Sequence, residues 1–200
     1  MKEFINSYLQ EVSYIANNLD REEIFSVAKN LLEVRKKNGR VFFLGVGGSA
    51  GNASHAVCDL RKITGIECYA PSDNISELTA RVNDEGWDTV FSGWLEVSNL
   101  SPRDAIFIFS VGGGSLEFNI SPGLVKAIDL ASMKGSRILG IVGKEDGYTR
   151  QKADASILIP IANDQHITPH SESFQTVIWH LFASLPELKR NQTKWESVVK

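Results

Sequence analysis

Apolar residues recur at helical spacing from the start of the chain: Phe4, Tyr8, Val12, Ile15 and Leu19, then, after the polar break Asp20-Arg21, Ile24, Val27, Ala28, Leu31 and Leu32. One buried face of a helix requires that three-to-four-residue period, so residues 1–38 are expected to form two amphipathic helices in a hairpin. The pattern then changes. VFFLG (41–45) is a short uninterrupted apolar run ending in glycine, as in a strand buried on both faces. The same grammar returns at AIFIFS (105–110), RILGIVG (137–143) and ASILIP (155–160), with a shorter candidate at 66–69. Helical stretches at 87–98 and 124–135 lie between these runs. Strands alternating with helices imply right-handed crossovers and a parallel sheet. The fold class expected is therefore α/β, with about five parallel strands and an N-terminal helical hairpin.

Composition narrows the class. A chain of 200 residues with 42% hydrophobic and 22% charged content fits one domain with a substantial core. It divides into the helix pair (1–38), an α/β core (39–188) and a polar tail (189–200). The net charge of −3 and the lack of a long Lys/Arg run give no electrostatic reason for a nucleic-acid or membrane-surface partner. No apolar run approaches the roughly 20 residues of a membrane helix. The opening MKEFINSYLQEV lacks a signal-peptide core, and Cys58 and Cys68 form no metal-type pair. A reduced, cytoplasmic protein is expected.

Chemistry concentrates at strand ends. In open parallel sheets, ligands sit beyond the carboxyl ends of the strands. There Gly45, Gly47, Gly48 and Ser49 lead into a helix whose free amides suit a phosphate, although glycines also serve tight strand-to-helix turns. The loop Ser110-Val-Gly-Gly-Gly-Ser115 also follows a buried strand and carries a hydroxyl at each end. Neither loop matches the Walker or dinucleotide fingerprint, which argues against a nucleotide triphosphate.

His55 and Asp59 are four apart on the first helix after the glycine loop, so they share a face. That spacing suits two ligands of one metal and equally an ordinary hydrogen-bonded pair. His166, His170 and His180 cluster near the C-terminus, where Thr168 and Pro169 read as the N-cap and first residue of a helix carrying Glu172 and His180. An acid and an imidazole from each of two helices would enclose a zinc-type ion or act as general acid and base. The alternative is that His180, in the apolar context VIWHLF, is a core histidine. Trp87, Trp94 and Trp179 read as core or subunit contacts.

Taken in order, the helix pair, the GxGGSA loop (45–50) with His55 six residues after Ser49, Asn83-Asp84-x-Gly-Trp87 before a helix, the Ser110 loop and the helix with Glu172 and His180 resemble the sugar isomerase (SIS) domain family of the phosphoheptose isomerase type. The resemblance covers almost the whole chain. It implies a flavodoxin-like three-layer sandwich with a five-stranded parallel sheet, homotetramer assembly and active sites between subunits. It further implies conversion of sedoheptulose 7-phosphate to D-glycero-D-manno-heptose 7-phosphate, for surface heptose biosynthesis, and a divalent metal, zinc in many members.

Carried over by position, the resemblance makes Gly48, Ser49, Asp84, Ser110, Gly112 and Ser115 substrate-binding positions. His55, Asp59, Glu172 and His180 become metal ligands, and Asp59, Glu172 and His180 the catalytic groups. The departures are specific. Asp59 stands where the family has glutamate and Glu172 where it has glutamine, so the longer carboxylate has changed places. Val46 replaces an asparagine, Gly112 replaces a serine, and no arginine lies four residues after Asp59, with Arg61 and Lys62 nearby. Aldose-ketose isomerisation through an enediol needs a base and a stabiliser of the developing oxyanion. On this reading Asp59 or Glu172 takes the carbon-bound proton, His180 handles the hydroxyl proton, and a metal polarises the oxygens. The altered carboxylates leave two rivals: a non-catalytic SIS scaffold binding a sugar phosphate or a replication initiator, and an isomerase of another ketose phosphate.

Overall fold

In the computed structural model, which describes residues 1–198, helices α1 (Lys2–Asn18) and α2 (Arg21–Lys36) precede the alternating part of the chain. That part runs β1 (Arg40–Gly45), α3 (Gly48–Asp59), β2 (Glu67–Tyr69), α4 (Ile75–Glu85), α5 (Val90–Val97), β3 (Ala105–Ser110), α6 (Pro122–Lys134), β4 (Arg137–Val142), α7 (Tyr148–Lys152), β5 (Ala155–Leu158), α8 (Ile167–Ser184) and α9 (Lys194–Val198). All strand pairs are parallel, in the order β2-β1-β3-β4-β5.

The apolar runs produce this architecture because both of their faces are covered. Val41, Phe43, Phe107, Phe109, Leu139, Ile141 and Ile157 pack in one core with residues of α2, α3 and α8. Their neighbours Phe42, Leu44, Ile106, Ile108 and Ile138 pack in a second core with α5 and α6. A strand with apolar residues at consecutive positions has no face to give to water, so the sheet is the middle layer of three. The order also fixes where a ligand goes. From β1 the chain crosses to β2 on one side, while β3 lies on the other, which makes the β1/β3 boundary the topological switch point. Gly45 pairs in register with Phe109, so both glycine-rich loops leave the sheet side by side.

Several boundaries differ from the sequence reading for identifiable reasons. The helix expected to start at Thr168-Pro169 begins at Ile167 with His166 as its cap, and Pro169 sits in the first turn, where its missing N–H costs no bond. Strand β5 ends at Leu158, ahead of Pro160, which has no N–H to donate. The stretch 87–98 divides into a 3-10 turn (Trp87–Thr89) and α5. Trp179 is fully buried, whereas Trp87 is 41% exposed.

The polar break at Asp20 is a helix cap: its carboxylate accepts from the N–H groups of Glu22 and Glu23 and starts α2. The expected helix pair is present but is not packed along its length. Helix α2 lies on β5 and β1, while α1 buries only Ile15 and leaves Phe4, Ile5, Leu9 and Tyr14 exposed. The start of the polar tail is docked, since the N–H groups of Arg190 and Asn191 donate to the Ile63 carbonyl. No helix among the described residues is long and apolar enough to cross a membrane.

Candidate functional site

The site is built at the switch point by two helices running side by side. Gly47, at φ +64°, turns the chain from β1 into α3. Gly45 cannot carry a side chain, because a Cβ there would lie 2.5 Å from the Ser49 carbonyl oxygen. Helix α3 then runs alongside α8 in the same direction. The Asn52 amide donates to the Glu172 carbonyl and the Gln175 side chain, and the Thr176 hydroxyl donates to Asn52. One to two turns further on, the His55 ring packs 4.6 Å from that of Trp179. This parallel seam places His55, Asp59 and His180 together.

One ligand-type atom from each of those three lies within 4.8 Å of the others. The Nε2 atom of His180 is 3.8 Å from the nearer Asp59 oxygen. On its other side, Nδ1 of His180 is 2.9 Å from the Thr176 carbonyl. A carbonyl only accepts, so Nδ1 carries the proton and Nε2 offers a lone pair toward Asp59 and His55. His55 and His180 are exposed and Asp59 half-buried, so the group is open to a ligand. Two imidazoles and a carboxylate converging in this way are the donor set of a zinc-type ion with an open position. The helix continues past Asp59 as a π turn, residues 60–64, which widens the backbone where the acid projects.

Glu172 stands outside that group. Eight residues along α8 put it on the same face as His180 but about 12 Å away along the axis. Its carboxylate lies over the first residue of α3, where a Cβ on Gly48 would come 2.4 Å from Oε2. The structure thus separates the two acids that the sequence reading treats as interchangeable.

The expected substrate-binding residues are distributed unevenly. Ser49 is 2% exposed and its hydroxyl accepts from the Gln175 amide, so in the single chain it fastens α3 to α8 and faces no solvent. Ser110 is also buried, accepting from the Gly113 N–H. Ser115, with Gly112 and Gly114, lines a cavity of about 410 Å³ completed by Leu116, Glu117, Lys144, Asp146 and Tyr148. Asp84 lies at the exposed end of α4, bonded to the Asn83 amide and outside that cavity lining. Arg61, a candidate replacement for the absent arginine, donates to the Cys68 carbonyl and lies over the Tyr69 ring. Lys144 is the functional candidate that sequence reasoning passed over. Its signal was the position, directly after the fourth buried strand in the loop KEDG.

No protein-family model matches the chain. It is 27% identical over 191 residues to the phosphoheptose isomerase of Syntrophotalea carbinolica, covering 92% of each chain. To the phosphoheptose isomerase of Chlorobaculum parvum it is 30% identical over 148 residues, covering 70% of this chain and 68% of that one. In fold it superposes on the phosphoheptose isomerase GmhA of Neisseria gonorrhoeae with a TM-score of 0.79, at 20% identity, covering 91% of this chain and 97% of the other. A shared doubly wound sheet and 30% identity over that length place the chain in one family: it belongs to the phosphoheptose isomerases, sugar-phosphate isomerases of the SIS-domain type.

Proposed function

We propose that the chain interconverts sedoheptulose 7-phosphate and D-glycero-D-manno-heptose 7-phosphate, for heptose biosynthesis, with Glu172 as the base and a divalent ion, zinc by its donor set, at His55, Asp59 and His180. The observation that carries this reading is the convergence of those three side chains from α3 and α8 beside the switch point. When bound, the ion would supply Lewis-acid polarisation of the sugar's carbonyl and hydroxyl oxygens.

The remaining roles fall to the chain's own residues. Holding an ion and passing the hydroxyl proton both require Nε2 of His180, because Nδ1 is committed to Thr176. We therefore assign the ring to the ion, and the hydroxyl proton passes directly between the adjacent sugar oxygens on C1 and C2. Asp59 is engaged in the same group, which leaves Glu172 to take the proton from C1 of the ketose and return it at C2 of the enediol. Since Glu172 stands about 12 Å along α8 from His180 in one chain, the Glu172 that serves a given ion is assigned to a neighbouring subunit. Its position over the first turn of α3 sets it at the carboxyl edge of the sheet, where the sugar's reacting carbons belong. The phosphate is assigned to the cavity of Ser115, Gly112 and Lys144, where a hydroxyl, loop backbone and one ammonium group meet beside the carboxylates of Glu117 and Asp146. The same reading includes a homotetramer with sites completed between subunits, supported by the exposed apolar residues of α1. It also includes a cytoplasmic location, in which Cys58 and Cys68 remain free thiols.

The test is NMR of purified, metal-analysed protein with sedoheptulose 7-phosphate in deuterated water. An aldoheptose phosphate with deuterium at C2 is the expected product. Neither conversion nor exchange, from folded protein supplied with metal, would overturn the assignment and leave another ketose phosphate or a sugar-phosphate-binding scaffold.

A further inference from the structure

A second group of ionisable side chains lies at the N-terminal end of α8. We propose that Glu11, His166 and His170 form an additional divalent-cation site that fastens α1 to α8. Oxygen Oε2 of Glu11 is 2.8 Å from Nδ1 of His166 and 2.7 Å from Nε2 of His170, so both rings aim at one point. The histidines are four apart, on one face, and the carboxylate comes from a different helix. The other Glu11 oxygen accepts from the Asn163 amide at 2.8 Å.

Charge balance leaves room for a bound cation in this cluster, beside the imidazolium that would otherwise compensate the acid. The Glu11 side chain is 11% exposed, and among the described residues it pairs with no Lys or Arg, only with these two histidines. A largely buried carboxylate needs a compensating cation. Aromatic rings wall the position: Tyr8 lies 4.5 Å from the His170 ring and Phe4 meets His166 edge-on at 5.6 Å. Among the described residues Glu11 is also the only polar group that orients His170, whose Nδ1 is buried without a partner. Two imidazole nitrogens and one carboxylate oxygen suit a zinc-type ion, whose bonds of about 2.0 Å set ligand atoms about 3.3 Å apart. The present spacing needs to open by only a few tenths of an ångström. The consequence is structural, because α1 otherwise buries only Ile15 and such an ion would join residues far apart in the sequence.

The test uses the full chain carrying His55→Ala and His180→Ala, both at exposed positions, which removes the other cluster's imidazoles. Stripped of metal, incubated with zinc and separated from free ion, this protein should retain about one zinc per chain and lose α1 order when chelated. With cobalt it should show the visible absorption of a protein-bound ion. Adding Glu11→Gln, or separately His166→Gln, should lower zinc affinity by at least about tenfold, while the metal-stripped variants match the metal-stripped background in helical content by circular dichroism. The proposal is overturned if the double-alanine background retains no zinc, or if the added substitutions leave the retained zinc in place. If Glu11→Gln prevents folding, His166→Gln, at a side chain 20% exposed, decides the comparison alone.

Discussion

On the proposed reading Asp59 and Glu172 are the two carboxylates of the site, and their different surroundings are the reason for giving them different work. Asp59 faces His180 at 3.8 Å within the three-residue group, whereas Glu172 faces the glycine that opens α3. Asp59→Asn should therefore reduce both bound metal and turnover. Glu172→Gln should keep the metal and lower kcat by about 10² to 10⁴, the usual contribution of a general base. Metal analysis beside steady-state kinetics reads both, and the reverse pattern would exchange the roles. Gly48 supplies an independent probe. A methyl group there displaces only the flexible end of Glu172, so Gly48→Ala should change stability by less than about 1 kcal/mol. Displacing the base by about 1 Å should still cost about a hundredfold in rate. Gly45→Ala meets backbone instead, the Ser49 carbonyl oxygen at 2.5 Å, and should cost about 1–3 kcal/mol in thermal unfolding.

At the scale of elements, the amino end of the sheet is held by one buried acid. Asp104 accepts from the backbone N–H and guanidinium of Arg40 and from the N–H and hydroxyl of Ser101, while its own carbonyl receives the Arg137 N–H. It thereby links the entries of β1, β3 and β4. Burial works to raise its carboxyl, but the bonds from Arg40 and Ser101 outweigh that and hold it below the ordinary carboxylate range. A depressed carboxylate contributes stability above its unfolded value, near 4, and loses it as pH falls through the folded value. Asp104→Asn should remove that acid-side loss, and Asp104→Ala should cost about 3 kcal/mol, both measured by denaturant titration between pH 2 and pH 7.

This clamp was not legible in the sequence, because a lone Asp before AIFIFS has no pattern that reveals its partner. The strands were legible, since runs such as VFFLG have no polar face and admit few alternatives. Helix α4 was passed over for the opposite reason: it has no buried residue, and its one local signal is the cap at Asn74. In the site, spacing puts His55 and Asp59 on one face of a helix, and their ligand-type atoms lie within 4.8 Å of each other. Sharing a helical face said nothing of reach, which is why Glu172 and His180 read together yet stand apart. Contacts such as Glu11 to His170 span most of the chain, and periodicity specifies neither partner.

At the scale of the whole molecule, α1 is left largely uncovered. Helix α1 carries Phe4, Ile5, Leu9 and Tyr14 exposed, and Phe25 at the start of α2 is exposed too. Single exposed apolar residues are ordinary, but a helix that buries one residue and offers several large ones to water is stable when another surface covers it. In a homotetramer that surface is another subunit, and closed symmetry would use the same helix repeatedly. Ile5→Glu with Leu9→Glu tests this without touching Glu11 or its aromatic neighbours Phe4 and Tyr8. Light scattering should show the unaltered chain as a tetramer and the double variant as a smaller species of unchanged helical content. If sites are completed between subunits, specific turnover of the variant should fall by at least about tenfold and recover as protein concentration rises, because assembly and activity are then linked by mass action. A variant that dissociates yet keeps full turnover would place a complete site within one chain. One that stays tetrameric would move the interface away from α1.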